Sequence, residues 1–176
     1  DYNIQNDLNN YLREARGKQV DLVRFEYEEQ DNMFDHHSYA KGGRVLHMLR
    51  KYTGDEAFYA SLNLYLKRNM FKSVEIHDLR LAFEEITGED LNWFFNQWFL
   101  DRGHPSLKID YNYDAERQKQ LVTVQQVQSF ETTPLYKIPV DIDIYSSGNV
   151  TRHRVVLNSR SETFEFETET RPDLVN

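Results

Sequence analysis

The stretch FNQWFLDRGHPSLKIDYNYD, residues 95–114, decides the fold class because the spacing of its apolar residues changes within it. On the N-terminal side, aromatic residues recur at the three- and four-residue spacing of a helix. On the C-terminal side, apolar and polar residues alternate as they do in a half-buried strand. The tripeptide Gly-His-Pro at residues 103–105 separates the two patterns. We therefore predict an α+β chain, with a helical part at residues 1–104 and a small antiparallel all-β part at residues 105–176.

The helical part carries apolar stripes of helical period, each following a polar or glycine-containing break. They lie at residues 4–15, 45–49, 58–66, 76–86 and 91–99. The second helix is expected to run over residues 37–52, and Gly54 and Gly88 are expected to end the second and fourth helices. Residues 18–35 have mixed charge and no clear period, so they are predicted to form a connector. The aromatic stripe of the last helix is predicted to be core.

The β part alternates with period two between turn-forming residues. The predicted strands lie at residues 107–114, 120–128, 136–147, 150–158 and 161–169, and a further strand is expected in RPDLVN at residues 171–176. Strands in this order fit either an antiparallel meander or half of a sandwich.

Composition excludes several classes of partner and site. The net charge is −8, from 21 Lys plus Arg against 29 Asp plus Glu, which disfavours nucleic acid and anionic membranes as partners. There is no cysteine, which rules out disulfides and thiolate metal sites, and no apolar run approaches the roughly 20 residues of a membrane helix. The opening DYNIQNDLNN has neither an initiator Met nor a leader, so we expect a piece of a longer polypeptide. The cellular compartment stays open.

The six histidines do not show the spacing of a metal site. His36 and His37 are adjacent, so on a helix their side chains point about 100 degrees apart. No H-x-x-x-H or H-E-x-x-H occurs in the chain. We expect no metal site within it.

The segment Tyr39-Ala40-Lys41-Gly42-Gly43 leaves two interpretations open. In the first, Tyr39 is an aromatic residue at the edge of the core, with a buried partner for its hydroxyl. In the second, the phenol offers its O–H to an oxyanion at the edge of a cleft, and the glycines let backbone or substrate come near.

The ordered motifs of residues 36–105 resemble those of M1-family zinc aminopeptidases. That family has a Tyr-x-Lys-Gly-[small] segment at a helix start, which residues 39–43 match. Its F-x-x-x-L-x-x-Y-L helix is matched at residues 58–66, and its D-L helix ending in Gly at residues 78–88. Its D-L-x-x-F-F-x-Q-W helix followed by G-x-P is matched at residues 90–105. A β-sandwich follows in the family, so residues 1–104 would be the helical part of its catalytic domain.

The resemblance implies a parent enzyme that removes N-terminal residues from peptides with the help of zinc. Tyr39 aligns with the family tyrosine whose phenol stabilises the tetrahedral intermediate opposite the zinc. Lys41, Gly42 and Gly43 match the motif and are expected to have packing roles. The family's zinc ligands, an H-E-x-x-H and a later Glu, are absent from this chain. We expect them in the rest of the catalytic domain upstream, and we expect this chain by itself to hold no zinc and to be inactive.

A non-catalytic function is the alternative. A scaffold of M1 type that has lost its zinc ligands would serve as a protein-interaction module, with Tyr39 as a packed aromatic residue.

Overall fold

The structure, a computed structural model, describes residues 2–176 and the side chains from residue 4 onwards. It divides into two compact units, a helical unit at Asp1–Gly103 and a strand unit at His104–Asn176. The predicted α+β class is confirmed, with helices in the first unit and antiparallel strands in the second. The assignment of the two units to a peptidase-like catalytic domain and a β-sandwich-like domain stays a prediction.

The helical unit contains five α-helices and three shorter turns among the described residues. These are α1 (Tyr2–Ala15), a 3-10 turn (Gln30–Met33), a π-helical turn (His37–Lys41), α2 (Gly42–Thr53), α3 (Asp55–Arg68), α4 (Ile76–Thr87), α5 (Asn92–Phe95) and a second π-helical turn (Asn96–Leu100). We call the two π-helical segments the Tyr39 turn and the Trp98 turn.

The predicted continuous helix over residues 37–52 is wrong at its start. The Lys41 N–H donates to the His36 carbonyl, five residues earlier, at 2.9 Å, and the Gly42 N–H donates to the His37 carbonyl. This spacing defines a π-helix and widens the first turn. The predicted helix over residues 91–99 also differs from the structure, because its second half is the π-helical Trp98 turn.

The core of the helical unit is aromatic, as the stripes predict. Phe83, Phe94 and Phe95 are essentially inaccessible to solvent. Phe83 on α4 meets the ring of Phe58 on α3 edge-on, with the centroids 5.5 Å apart. Gly88 ends α4 in the left-handed conformation at φ 70°, which glycine adopts without strain.

The strand unit forms two antiparallel sheets of three strands each. The strands are β1 (Leu107–Asp114), β2 (Lys119–Gln126), β3 (Ile138–Ser146), β4 (Asn149–Leu157), β5 (Ser161–Glu167) and β6 (Leu174–Val175). The strand order is β1-β2-β5 in one sheet and β4-β3-β6 in the other. The meander is therefore wrong, because β5 pairs with β2 instead of with its neighbour β4.

The two sheets of the strand unit bury residues between them. Every second residue of β2 is buried, including Val122 and Val124. The rings of His153 on β4 and Phe166 on β5 lie 4.4 Å apart and connect one sheet to the other.

Candidate active site

Tyr39 is exposed, although both residues that follow it in the chain are buried. The side chain of Tyr39 is 64% exposed, whereas Ala40 and Lys41 are each 4% exposed. Among the described residues the phenol oxygen forms no hydrogen bond, and the nearest aromatic ring is Phe34, with its centroid 6.0 Å away. A tyrosine that serves only as packing would bury its ring and pair its hydroxyl. The observed position leaves the phenol available to a ligand.

The backbone of the Tyr39 turn is fixed by hydrogen bonds at its entry. The Tyr39 N–H donates to the Asp35 carbonyl at 3.1 Å. The Ser38 N–H donates to the Asp35 carboxylate at 2.9 Å, and the Ser38 hydroxyl donates to the Met33 carbonyl at 2.6 Å. These hydrogen bonds therefore constrain the backbone that carries the Tyr39 ring.

Beside Tyr39 lies a largely apolar cleft of about 390 Å³, which we call the Tyr39 cleft. Its lining residues are Leu22, Val23, Ser38, Tyr39, Gly42, Gly43, Leu46 and Phe99. The Val23 N–H donates to the Phe99 carbonyl at 2.9 Å, so the connector is joined to the Trp98 turn at this cleft. Both π-helical turns thus contribute residues to it, and such turns are frequent at functional sites.

The two glycines of the motif line the cleft instead of packing against another helix. A Cβ atom added at Gly43 would meet nothing within 4 Å, and one added at Gly42 would meet only the His37 carbonyl, at 3.9 Å. The expected close packing at Gly42 and Gly43 is therefore wrong within the part of the chain that the structure describes. Their missing side chains instead leave one wall of the cleft open.

The side chain of Lys41 is buried, although Lys41 follows the exposed Tyr39 by only two residues. Its Nζ atom has no hydrogen-bond partner in the described structure. Burial lowers the pKa of Lys41 from 10.5 to about 8, although Asp21 and Asp101 act in the opposite direction by attracting the positive charge. The motif predicted a packing role for Lys41 but did not indicate that its ammonium group is desolvated.

A charged network lies next to the Tyr39 turn and joins it to α1 and the connector. Its members are Glu14, Lys18, Arg24, Asp35 and His37. The Asp35 carboxylate lies 2.6 Å from Lys18 Nζ and 2.7 Å from Arg24. Burial by itself would raise the pKa of Asp35. The interactions with Lys18, the Ser38 amide and Arg24 outweigh burial and lower that pKa to about 2.

Three members of the network could offer ligand atoms to a metal. The ligand atoms of Glu14, Asp35 and His37 lie within 4.8 Å of one another. His37 is fully buried, and neither ring nitrogen forms a hydrogen bond with the residues that the structure describes. Its Nδ1 atom lies 3.4 Å from the Glu14 carboxylate. Burial lowers the pKa of His37, against the attraction of Asp35 and Glu14.

The network does not fit a catalytic zinc. The positive charges of Lys18 and Arg24 already neutralise Asp35, and they would repel a further cation. No motif predicted this cluster, because its members are spread over residues 14–37 without ligand spacing.

The family model for the peptidase family M1 domain matches residues 3–98, more than half of the chain. This chain therefore belongs to peptidase family M1. Among curated proteins, it is similar to the puromycin-sensitive aminopeptidase of Caenorhabditis elegans, with 27% identity over 145 residues, covering 79% of this chain and 15% of that protein. It is also similar to the alanine/arginine aminopeptidase of Saccharomyces cerevisiae, with 29% identity over 170 residues, covering 95% of this chain and 19% of that protein.

A solved structure shares the fold. It is the crystal structure of Legionella pneumophila aminopeptidase A in complex with aspartic acid, with a TM-score of 0.75 and 20% identity, covering 94% of this chain and 19% of that chain. The chain spans less than a fifth of the curated relatives named above. None of the helices within residues 2–176 combines the length and apolar character that a bilayer span requires.

Proposed function

We propose that this chain is part of a zinc-dependent aminopeptidase in which Tyr39 stabilises the oxyanion of the tetrahedral intermediate. The observation that carries this proposal is the exposed phenol of Tyr39 at an apolar cleft, within the motif of its family. Its oxygen forms no hydrogen bond with the described part of the chain. The two curated relatives described above are both named as aminopeptidases. The proposed substrate is a peptide, whose first peptide bond is hydrolysed.

The contribution of Tyr39 would be one hydrogen bond that strengthens during the reaction. When water adds to the carbonyl carbon, the carbonyl oxygen gains negative charge, and the phenol O–H of Tyr39 donates to it. A donor fixed before the reaction needs no reorganisation at that step, and losing one typically costs about 10²–10³ in kcat, or roughly 3–4 kcal/mol. The hydrogen-bonded backbone of the Tyr39 turn and the apolar cleft beside it support this role.

The zinc of such an enzyme would be held by residues outside this chain. When bound, zinc polarises the scissile carbonyl and activates the attacking water. No histidine pair here has the spacing of zinc ligands, and the network around Asp35 is occupied by cations. This chain by itself is therefore expected to be inactive, and its proposed partner is the metal-bearing remainder of the catalytic domain.

The test is the substitution Tyr39→Phe in the parent protein, with Tyr59→Phe as the matched control. Tyr59 lies on α3 and is 54% exposed, so its substitution also removes one exposed hydroxyl. We expect Tyr39→Phe to lower kcat about 10²–10³-fold, with zinc content and thermal stability unchanged. Tyr59→Phe should keep the wild-type kcat.

Full activity of the Tyr39→Phe variant would refute the oxyanion role. A wild-type parent that neither binds zinc nor cleaves any aminoacyl substrate would instead support the non-catalytic scaffold.

A further inference from the structure

We propose that Asp35 is a positioning residue, which fixes both the Tyr39 turn and the part of the Tyr39 cleft that is lined by Leu22 and Val23. The structural part of this proposal rests on contacts within the chain. Its catalytic consequence rests on the function proposed above.

Asp35 contacts the Tyr39 turn through two hydrogen bonds. Its Oδ1 atom accepts the Ser38 N–H at 2.9 Å, and its backbone carbonyl accepts the Tyr39 N–H at 3.1 Å. The N–H groups at the start of a helical segment have no partner within the helix, and a carboxylate three residues earlier stabilises them. Asp35 therefore sets the backbone from which the Tyr39 ring projects.

Asp35 also contacts the connector through two ion pairs. Its Oδ2 atom forms ion pairs with Arg24 at 2.7 Å and with Lys18 at 2.6 Å. Arg24 directly follows Leu22 and Val23, which also line the cleft and which we call the Leu22–Val23 wall. The guanidinium of Arg24 also donates to the carbonyls of Asp21 and Asn32, at 3.1 Å each, so the connector is folded around it.

Together these contacts make one carboxylate the link between the Tyr39 turn and the Leu22–Val23 wall. The side chains of Arg24 and Asp35 are each only 9% exposed, so the pair is shielded from solvent. Removing one partner of a shielded pair leaves the other charge uncompensated and strongly perturbs its surroundings. A change at Asp35 should therefore disturb Tyr39 and the Leu22–Val23 wall before it affects the distant helices α3 and α4.

Amide hydrogen exchange on this chain tests the structural part. Asp35→Asn keeps an oxygen for the Ser38 N–H but removes the charge, whereas Asp35→Ala removes both. Asp31→Asn is the matched control, since Asp31 is an exposed carboxylate on the same connector with no ion pair in the described structure. The amides to follow are those of Tyr39 and Lys41 in the turn, with Gly88 at the end of α4 as the reference.

We expect Asp35→Ala to accelerate exchange of the Tyr39 and Lys41 amides about tenfold or more, with Gly88 unchanged. Asp35→Asn should give a smaller acceleration, and Asp31→Asn none. Unchanged exchange at Tyr39 and Lys41 in both Asp35 variants would overturn the proposal. An equal acceleration at Gly88 would also overturn it, because Asp35 would then support the whole unit instead of the turn. If Asp35→Ala does not fold, the Asp35→Asn comparison decides.

Kinetics of the parent protein test the catalytic part. We expect Asp35→Asn to lower kcat roughly 10- to 100-fold, with a smaller change in KM, because a misplaced catalytic group costs rate. If Tyr39→Phe lowers kcat while Asp35→Asn keeps the wild-type value, Asp35 does not position Tyr39. If Tyr39→Phe is fully active, the proposed function fails, and the exchange experiment still decides whether Asp35 holds the turn.

Discussion

Replacing Lys41 with methionine should stabilise the protein. Methionine has nearly the length of the lysine stem but carries no charge, so it fills the same space without the cost of a buried ammonium. Lys41 is 4% exposed, its Nζ atom has no hydrogen-bond partner in the described structure, and burial lowers its pKa to about 8.

The magnitude follows from the difference between folded and unfolded pKa. Between the folded pKa of about 8 and the ordinary lysine pKa of 10.5, the unfolded chain binds more protons than the folded one, so stability rises with pH. At pH 7 the buried charge therefore costs about 3 kcal/mol, and at pH 9.5 the remaining cost is roughly 1.5 kcal/mol. Asp21 and Asp101 offset part of the burial cost, and the lowered pKa already includes their effect.

The assay is urea unfolding of wild type and Lys41→Met at pH 7 and at pH 9.5. The variant should be more stable at both values, and its advantage should shrink by about 2 kcal/mol at the higher pH. Lys67→Met is the control, because Lys67 lies exposed on α3 and has no ion pair in the described structure. It should change stability little, and equally at both pH values. A Lys41→Met protein that is less stable than wild type at pH 7 would refute the reasoning, as would an advantage that does not depend on pH.

Two further predictions concern packing. Gly43→Ala should stabilise the helical unit by about 1 kcal/mol in urea unfolding, because alanine favours the helix and its Cβ atom has open space around it. A loss of stability would mean that the cleft is tighter at Gly43 than the structure shows. Phe83→Ala should destabilise the same unit by about 3–5 kcal/mol, since Phe83 is fully buried against Phe58. A loss of stability below about 1 kcal/mol would show that this ring is not part of the hydrophobic core.

Local pattern predicted much of the fold. The helical pattern before residue 105 and the alternating pattern after it agree with the α+β class of the structure. Gly54 and Gly88 end their helices with positive φ, as expected. The aromatic stripe of the last helical segment is buried, because a run of large apolar residues at helical spacing has few other ways to leave water.

The features that the sequence did not show depend on contacts between distant residues. The pairing of β5 with β2 joins segments about 40 residues apart. The alternation of apolar and polar residues along a strand does not determine with which other strand it pairs. The π-helical start of the second helix lies next to hydrogen bonds accepted by Asp35, which belongs to a connector without any period.

The candidate site was predicted only in part. The motif pointed to Tyr39, and its catalytic role stays a prediction. The network from Glu14 to His37 could not be read from spacing, because it arises where α1 and the connector contact the turn. The burial of Lys41 likewise depends on tertiary packing, which spacing does not show.

Sequencing the gene upstream of Asp1 tests whether the metal half of the proposed site lies outside this chain. We expect an H-E-x-x-H motif with a downstream Glu shortly before Asp1. A reading frame that continues upstream with the features of the family but without those ligands would contradict a zinc aminopeptidase and favour a non-catalytic scaffold.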